Sequence, residues 1–353
     1  MKRIFLGILS LGMLFALGLF AGCSSKQPPS ALETKELNVF FWTEYISESV
    51  VKQFEEETGV KVNFVTYSSN EDMMAKVKSS AEGTYDIVVP SDYAVKMMKE
   101  EGLLLEIDKS KISNLSNIEP SYLNRSFDPN NQYSVPYMAG AAAIVINKKK
   151  VSEKITSFAQ IINPKYKNSI VALDDSRAVI GAAANSMGYS FNPTDDAILE
   201  QVAKKVQELK PNIKLLDSDS PKTAMLNGET SIGYMWNAEI AICLQESQDF
   251  EVVFPNEGCY LFLDNMCVLK GAKNKVNAEK FINFVLRDDI SAKISQEYPY
   301  TNPNKAAVAL LPDSYKNNLA SNIPAEVFAN GQFIQDVGSK VEKYDEIWTK
   351  FTK

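Results

Sequence analysis

The chain has 353 residues, with 37 lysines and arginines against 44 aspartates and glutamates and a formal net charge of −7. A field of this sign repels nucleic acid and favours cationic ligands, so no nucleic-acid partner is expected. Histidine is absent, which excludes Ser-His and Cys-His catalytic pairs and His-containing metal sites.

Lys2 and Arg3 precede an apolar run from Ile4 to Phe20 that ends in Ala21 and Gly22. A charged start, an apolar stretch and a small-residue junction make an export signal, so residues 1–22 are predicted to be a signal peptide. Cys23 follows Ala-Gly and precedes Ser24 and Ser25, which resembles a bacterial lipoprotein box, although Phe20 stands where leucine is usual. Cys23 is therefore the predicted lipidation site. Residues 23–35, rich in Ser and Pro, form a flexible tether from the membrane to an extracytoplasmic folded part. The alternative is that the run, nearly long enough to span a bilayer, stays as a transmembrane anchor.

From Leu37, short apolar runs alternate with helical patterns. Residues 37–42 read as a buried strand, and 47–58 as a helix that buries Val50, Val51 and Phe54 and stops at Gly59. A strand at 60–67, a helix at 72–78, a strand at 86–89 before Pro90 and a helix at 93–101 before Gly102 follow. This βαβαβ order implies a mainly parallel sheet covered by helices. The pattern restarts after Gly140, with strands predicted at 143–147, 170–173 and 230–235. Thr194 is the predicted cap of a helix whose apolar stripe is Ile198, Val202, Val206 and Leu209 and which Pro211 ends. A strand at 265–269, a helix at 278–286 and a closing helix at 337–351 complete two α/β lobes joined by crossing segments. Cys243, Cys259 and Cys267 are odd in number and lack metal-ligand spacing, so they are predicted to be small buried residues, a Cys259–Cys267 disulfide being the alternative. No metal and no cofactor are expected.

Acids and aromatics gather past the carboxyl ends of the predicted strands, where loops splay apart in open α/β sheets and ligands bind. Trp42, Thr43, Glu44 and Tyr45 follow the first strand, and Ser91, Asp92 and Tyr93 follow Val89. Asp174 and Asp175 follow Leu173, and Trp236 and Glu239 follow Met235. This pairing suits a linear cation. Each ammonium of a polyamine needs a carboxylate, because an unpaired charge taken out of water costs several kcal/mol. The methylenes between need flat apolar walls, and aromatic faces also attract cations. Neutral sugars need fewer acids, and anions need basic groups or helix N-termini.

Here the sequence resembles the spermidine/putrescine-binding proteins of bacterial polyamine ABC transporters. The resemblance rests on FFWTEYI at 40–46, TYSSNEDM at 66–73, YDIVVPSDY at 85–93, LEIDKSKI at 105–112, YSVPYMAG at 133–140, GYMWN at 233–237, FINFVLR at 281–287 and NGQFIQDVG at 330–338. It implies an α/β type II periplasmic-binding-protein fold, two lobes with a ligand cleft between them that close by a hinge and present the ligand to ABC permease subunits. Lobe 1 would comprise 36–138 with 262–306, and lobe 2 would comprise 139–261 with 307–353. By position, the resemblance implies aromatic walls at Trp42, Tyr45, Tyr93, Trp236, Phe262 and Tyr300 and hydrogen-bonding groups at Thr43 and Ser91. It implies amine-pairing acids at Asp264 and Asp175, as in spermidine-type members, and at Glu239 and Glu44, as in putrescine-type ones. Ala178 stands where both types carry Glu, Phe262 where the spermidine type has Trp, and Ile334 where it has Gln.

Two other readings stay open on the residues alone. One is an exported hydrolase working through paired carboxylates, for which no substrate frame is evident. The other is capture of a quaternary amine such as choline in an aromatic cage, which would gain less from the acids because it has no N–H donors.

Overall fold

The computed structural model describes residues 35–353, so the predicted signal peptide, Cys23 and the tether as far as residue 34 lie outside the described residues. Strand β1 (Glu36–Trp42), helix α1 (Glu48–Thr58), β2 (Lys61–Tyr67), α2 (Asn70–Ser79), β3 (Ile87–Val88) and α3 (Asp92–Glu100) follow the predicted order, and short β4 (Leu104–Leu105) comes next. Gly59 stops α1 at φ +67°, its N–H bonded to Glu55 O at 2.8 Å; a residue without Cβ adopts this left-handed cap freely. β1 lies between β2 and β3 and runs parallel to both.

Strand β5 (Ser134–Asn147) corrects the prediction of a restart after Gly140. It is one strand of 14 residues that runs through both Pro136 and Gly140. Pro136 is tolerated because it sits at an irregularity in the pairing with β10 (Tyr260–Leu269), where the register shifts between Asp264 and Asn265 and one ladder hydrogen bond is dispensable. Gly140 answers a close approach: a Cβ there would lie 2.0 Å from Asn237 Oδ1 and 2.6 Å from Phe262 Cζ. Residues 134–142 of β5 pair with β10, and 142–146 pair with β8 (Ile232–Trp236), so the strand belongs to both halves of the sheet.

The second half holds α4 (Phe158–Ile161), β6 (Ile170–Ala172), α5 (Ser176–Asn185), α6 (Asp196–Leu209), β7 (Ile213–Leu216), α7 (Lys222–Leu226), α8 (Asn237–Glu246) and β9 (Phe250–Val253). Asp195, not Thr194, caps α6, accepting the Ile198 N–H at 3.0 Å, and the buried stripe runs through Leu199 in place of Ile198. The sheet order is β2-β1-β3-β10-β5-β8-β6-β7, with β4 and β11 (Gln332–Phe333) on β10 and β9 on β5. Parallel pairs at each end flank antiparallel crossing strands, so the sheet is mixed where a mainly parallel one was predicted.

Helices α9 (Lys275–Val285), α10 (Asp288–Glu297), α11 (Lys305–Leu310), α12 (Asp313–Lys316), α13 (Ala325–Asn330) and α14 (Val341–Thr352) complete the chain. Phe40, Phe41, Phe54 and Phe281 are fully buried in the core. Among the described residues no helix is long and apolar enough to cross a membrane. Cys243, Cys259 and Cys267 are free and buried. Cys259 precedes β10 and Cys267 lies near its far end, so eight extended residues, roughly 26 Å at 3.3 Å each, hold them too far apart for a disulfide.

Candidate functional site

A cavity opens where the carboxyl ends of the strands from the two halves meet. Trp42 enters it from the end of β1, Thr43 and Tyr45 after β1, Ser91 after β3, Asp175 after β6 and Trp236 from the end of β8. The crossing strand β10 adds Phe262 and Asp264, and Tyr300 closes the wall. Nine of the twelve residues that the resemblance assigns to the site thus line one space, whereas Glu44, Tyr93 and Glu239, and the strand-end acids Asp92 and Asp174, do not line it. Ser68, Asn70, Ser218, Asp219 and Tyr260 line it as well. Of these, Asn70 and Ser68 lie in the TYSSNEDM run; Ser218 and Asp219 sit in a polar loop with no periodicity to mark them.

Asp264 is 4% exposed. The Tyr45 hydroxyl donates to its Oδ2 and the Ser91 hydroxyl to its Oδ1, both at 2.6 Å. Ser91 is the N-cap of α3, but its hydroxyl is turned to Asp264 and makes no cap bond. Asn70 fixes it there, donating to Ser91 Oγ at 3.0 Å and accepting the Ser91 N–H at 3.1 Å. Burial pushes the Asp264 carboxyl up to about 7, and the Ser91 and Tyr45 hydroxyls pull it partly back. Among the described residues no lysine or arginine forms an ion pair with it. The result is a buried carboxylate that hydroxyls orient and no cation neutralises.

An arc of rings leads away from this acid. Tyr45 meets Tyr300 edge to face at 4.9 Å, Tyr300 meets Phe262 at 6.0 Å, Phe262 meets Trp236 at 5.4 Å and Trp236 meets Tyr260 at 5.7 Å. Such edge-to-face contacts fix each ring through its neighbour. Trp42 meets Tyr45 edge to face at 6.5 Å and is further held by its Nε1–H, donated to Val89 O at 2.7 Å.

Asp175 has two roles. Its Oδ1 accepts the Ala178 N–H at 2.8 Å as the N-cap of α5, and the residue also lines the cavity. Burial first and the Glu71 carboxylate next push it up to about 6. Asp219 accepts the Ser68 hydroxyl at 3.0 Å, tying the loop after β7 to the loop after β2.

The residues outside the cavity are engaged elsewhere. Tyr93 donates its hydroxyl to Glu71 Oε1 at 3.0 Å, and the Arg177 guanidinium lies 5.5 Å from its ring. Glu44 and Glu239 are both held by Lys222, each at 3.0 Å. Lysine at 222 carried no signal in the sequence. Burial pushes Glu239 up to about 7, with Lys222 opposing that rise. Among the described residues no cluster of His, Cys, Asp and Glu is arranged to hold a metal ion. What the cavity offers is carboxylates set in aromatic walls, a receptor for ammonium groups on an apolar chain.

Residues 49–322 match the family of bacterial extracellular solute-binding proteins. Over 351 residues, 99% of this chain and 99% of the relative, the chain is 39% identical to the spermidine/putrescine-binding periplasmic protein of Salmonella typhimurium. It superposes with a TM-score of 0.76, at 35% identity, on the substrate-binding protein of a spermidine/putrescine ABC transporter from Streptococcus pneumoniae, covering 90% of this chain and 99% of that one. A lipoprotein of Treponema pallidum superposes with a TM-score of 0.79, at 31% identity, over 90% of this chain and 99% of its own. The fold is the type II periplasmic-binding-protein fold, two α/β lobes with a ligand cleft between them.

Proposed function

The chain belongs to the bacterial extracellular solute-binding proteins, and within that family we propose that it captures a linear polyamine, spermidine with putrescine also accepted, for an ABC importer. The observation that carries this reading is Asp264, a buried carboxylate that two hydroxyls orient and no cation among the described residues neutralises, at the start of an aromatic arc. An ammonium laid against it takes over its remaining lone pairs. The methylenes then lie along the rings, and a second ammonium reaches Asp175 or Asp219. A polyamine offers these acids N–H donors, which a quaternary amine lacks.

The role is binding and delivery, not catalysis. Ligand drawn against β1 and β3 on one side and β6 and β8 on the other bridges the two halves and favours a closed form, the form an ABC permease would receive. In the same reading, residues 36–138 with 262–306 move as one lobe and 139–261 with 307–353 as the other. The site residues are Trp42, Thr43, Tyr45, Ser91, Asp175, Trp236, Phe262, Asp264 and Tyr300. In this reading residues 1–22 export the chain and Cys23 is lipidated, so the folded part is extracytoplasmic, as a cell-membrane lipoprotein or in the periplasm. Calorimetric titration of the chain from Ser24 onward with putrescine, spermidine and choline tests the reading. One-to-one binding of the polyamines without choline is expected; no heat from either polyamine would sink it.

A further inference from the structure

Lys222 sits beside the cleft with its ammonium fully engaged. Its Nζ lies 3.0 Å from Glu44 Oε2, 3.1 and 3.0 Å from the two Glu239 oxygens and 3.0 Å from Ser220 Oγ, so four acceptors surround three N–H donors. Glu239 is 4% exposed, so an unpaired charge there would be costly. Glu44 comes from the loop after β1, and Lys222 and Glu239 come from α7 and α8, so the lysine also joins the two halves of the molecule.

The cluster adjoins the cavity. Thr43 and Tyr45 flank Glu44 in the chain, Asp219 precedes Lys222 by three residues and Trp236 precedes Glu239 by three, and all four of these line the cavity. Tyr300, in the cavity wall, feels both acidic groups: burial foremost, then the charges of Glu239, Asp264, Glu44 and Asp219, push its phenol upward. The acids of the cleft therefore fall into two sets. Asp264, Asp175 and Asp219 have no lysine or arginine in an ion pair among the described residues, whereas Glu44 and Glu239 share one.

We propose that Lys222 is a specificity-determining residue: its ammonium occupies an amine seat between Glu44 and Glu239, so that end of the cleft is filled by the protein and not by ligand. A lysine side chain ends in an aminobutyl group, the same chemistry as the end of a polyamine, and a pocket that suits one suits the other. With the seat taken, a further ligand ammonium would meet a like charge at close range. The cleft is thereby shortened to the span from Asp264 to Asp175 and Asp219, and a tetra-amine is left with a charge that has no partner.

This inference rests on the polyamine reading, and one set of titrations separates the two. Putrescine and spermine are titrated into the wild type, Lys222→Met, Lys222→Arg and the double variant Lys222→Met with Glu239→Gln. Lys222→Met should strengthen spermine relative to putrescine by tenfold or more. Lys222→Arg should keep the wild-type ratio, and adding Glu239→Gln should remove the gain. Should Lys222→Met fail to fold, Lys222→Gln, which keeps a hydrogen-bonding tip without the charge, reads the same ratio. An unchanged ratio in the folded neutral variant overturns the role of Lys222 while leaving polyamine binding intact. A wild type that binds neither amine overturns the polyamine reading itself, and the inference with it.

Discussion

Tyr45 and Asp264, 219 residues apart in the chain, are joined by a 2.6 Å hydrogen bond from the phenol to the carboxylate. The bond ties the loop after the first strand to the crossing strand β10, and the buried acid has no cation partner among the described residues. A charge held in this way weighs against the unliganded fold and is relieved when a proton or a ligand cation arrives.

Asp264→Asn should therefore separate stability from binding. The folded carboxyl titrates near 7 against an ordinary 3.8, so the native state holds its proton more tightly than the unfolded chain. Stability contributed by this group is full below 3.8, declines as pH rises and is lost above 7, a difference on the order of 4 kcal/mol. Thermal melts without ligand should show the variant more stable than the wild type at pH 8, with the gap closing toward pH 4. Polyamine affinity should fall by roughly 2 to 5 kcal/mol, thirty-fold or more, and an undiminished affinity would remove Asp264 from the site.

Polyamine binding should depend on pH with a definite sign. An ammonium prefers ionised Asp264, so it lowers the carboxyl pKa and must displace a proton at any pH below about 7. Affinity should be flat above 7 and decline by up to about tenfold per pH unit below it. Calorimetry from pH 5 to 8 measures the slope. The decline should be shallower in Asp264→Asn, where Asp175, titrating near 6, is left to contribute.

Asp175 calls for a substitution that respects its cap. Asp175→Ala would lose the bond to the Ala178 N–H and about 1 kcal/mol of helix stability with it, which confuses any loss of binding. Asp175→Ser keeps a capping oxygen and removes the charge. Its melting temperature should stay near that of the wild type while spermidine weakens more than putrescine, because only the longer ligand reaches this carboxylate. Equal losses for both ligands would reverse that assignment.

Gly140→Ala should damage the site from behind. The added Cβ would meet Asn237 Oδ1 and Phe262 Cζ, and Asn237 is itself anchored through Nδ2 to Ala320 O at 2.9 Å. Overpacking of this kind costs about 1 to 3 kcal/mol. A denaturant melt should show that loss, and calorimetry should show weaker ligand binding as Phe262 is displaced. A variant with wild-type stability would mean that the backbone has room to move there.

Cys23→Ala should abolish acylation and release the chain from membranes, as read by mass spectrometry and cell fractionation. Recovery of an unmodified wild-type chain in the medium would remove the anchor.

The strand-end clusters were legible because each rests on local chemistry. An apolar run stops, a polar turn follows, and the residues that line the cavity sit in that turn, as Thr43, Ser91 and Asp175 do. The crossing strands were legible only in part. Pro136 and Gly140 look like breaks within β5, but the bulge that accommodates one belongs to β10, and the Phe262 ring and Asn237 side chain that crowd the other belong to β10 and α8, far away in the chain. Ser218 and Asp219 belong to a short polar loop that has the composition of any surface turn. Glu44 and Glu239 were singled out as residue types that pair with amines. The amine found beside them belongs to Lys222, a partner fixed by tertiary packing alone.

The three buried thiols bear on how the molecule ages outside a cell. Burial pushes Cys243 and Cys259 up to about 12, so near neutral pH only about one of these thiols in 10⁵ is the reactive thiolate, and burial likewise pushes Cys267 well above its usual range. While the chain stays folded, oxidants and thiol reagents find almost nothing to attack. Each opening exposes three cysteines at their ordinary reactivity, and their modification prevents the tight core from re-forming. The rate of thiol labelling in native buffer is therefore a direct clock for how often the core opens.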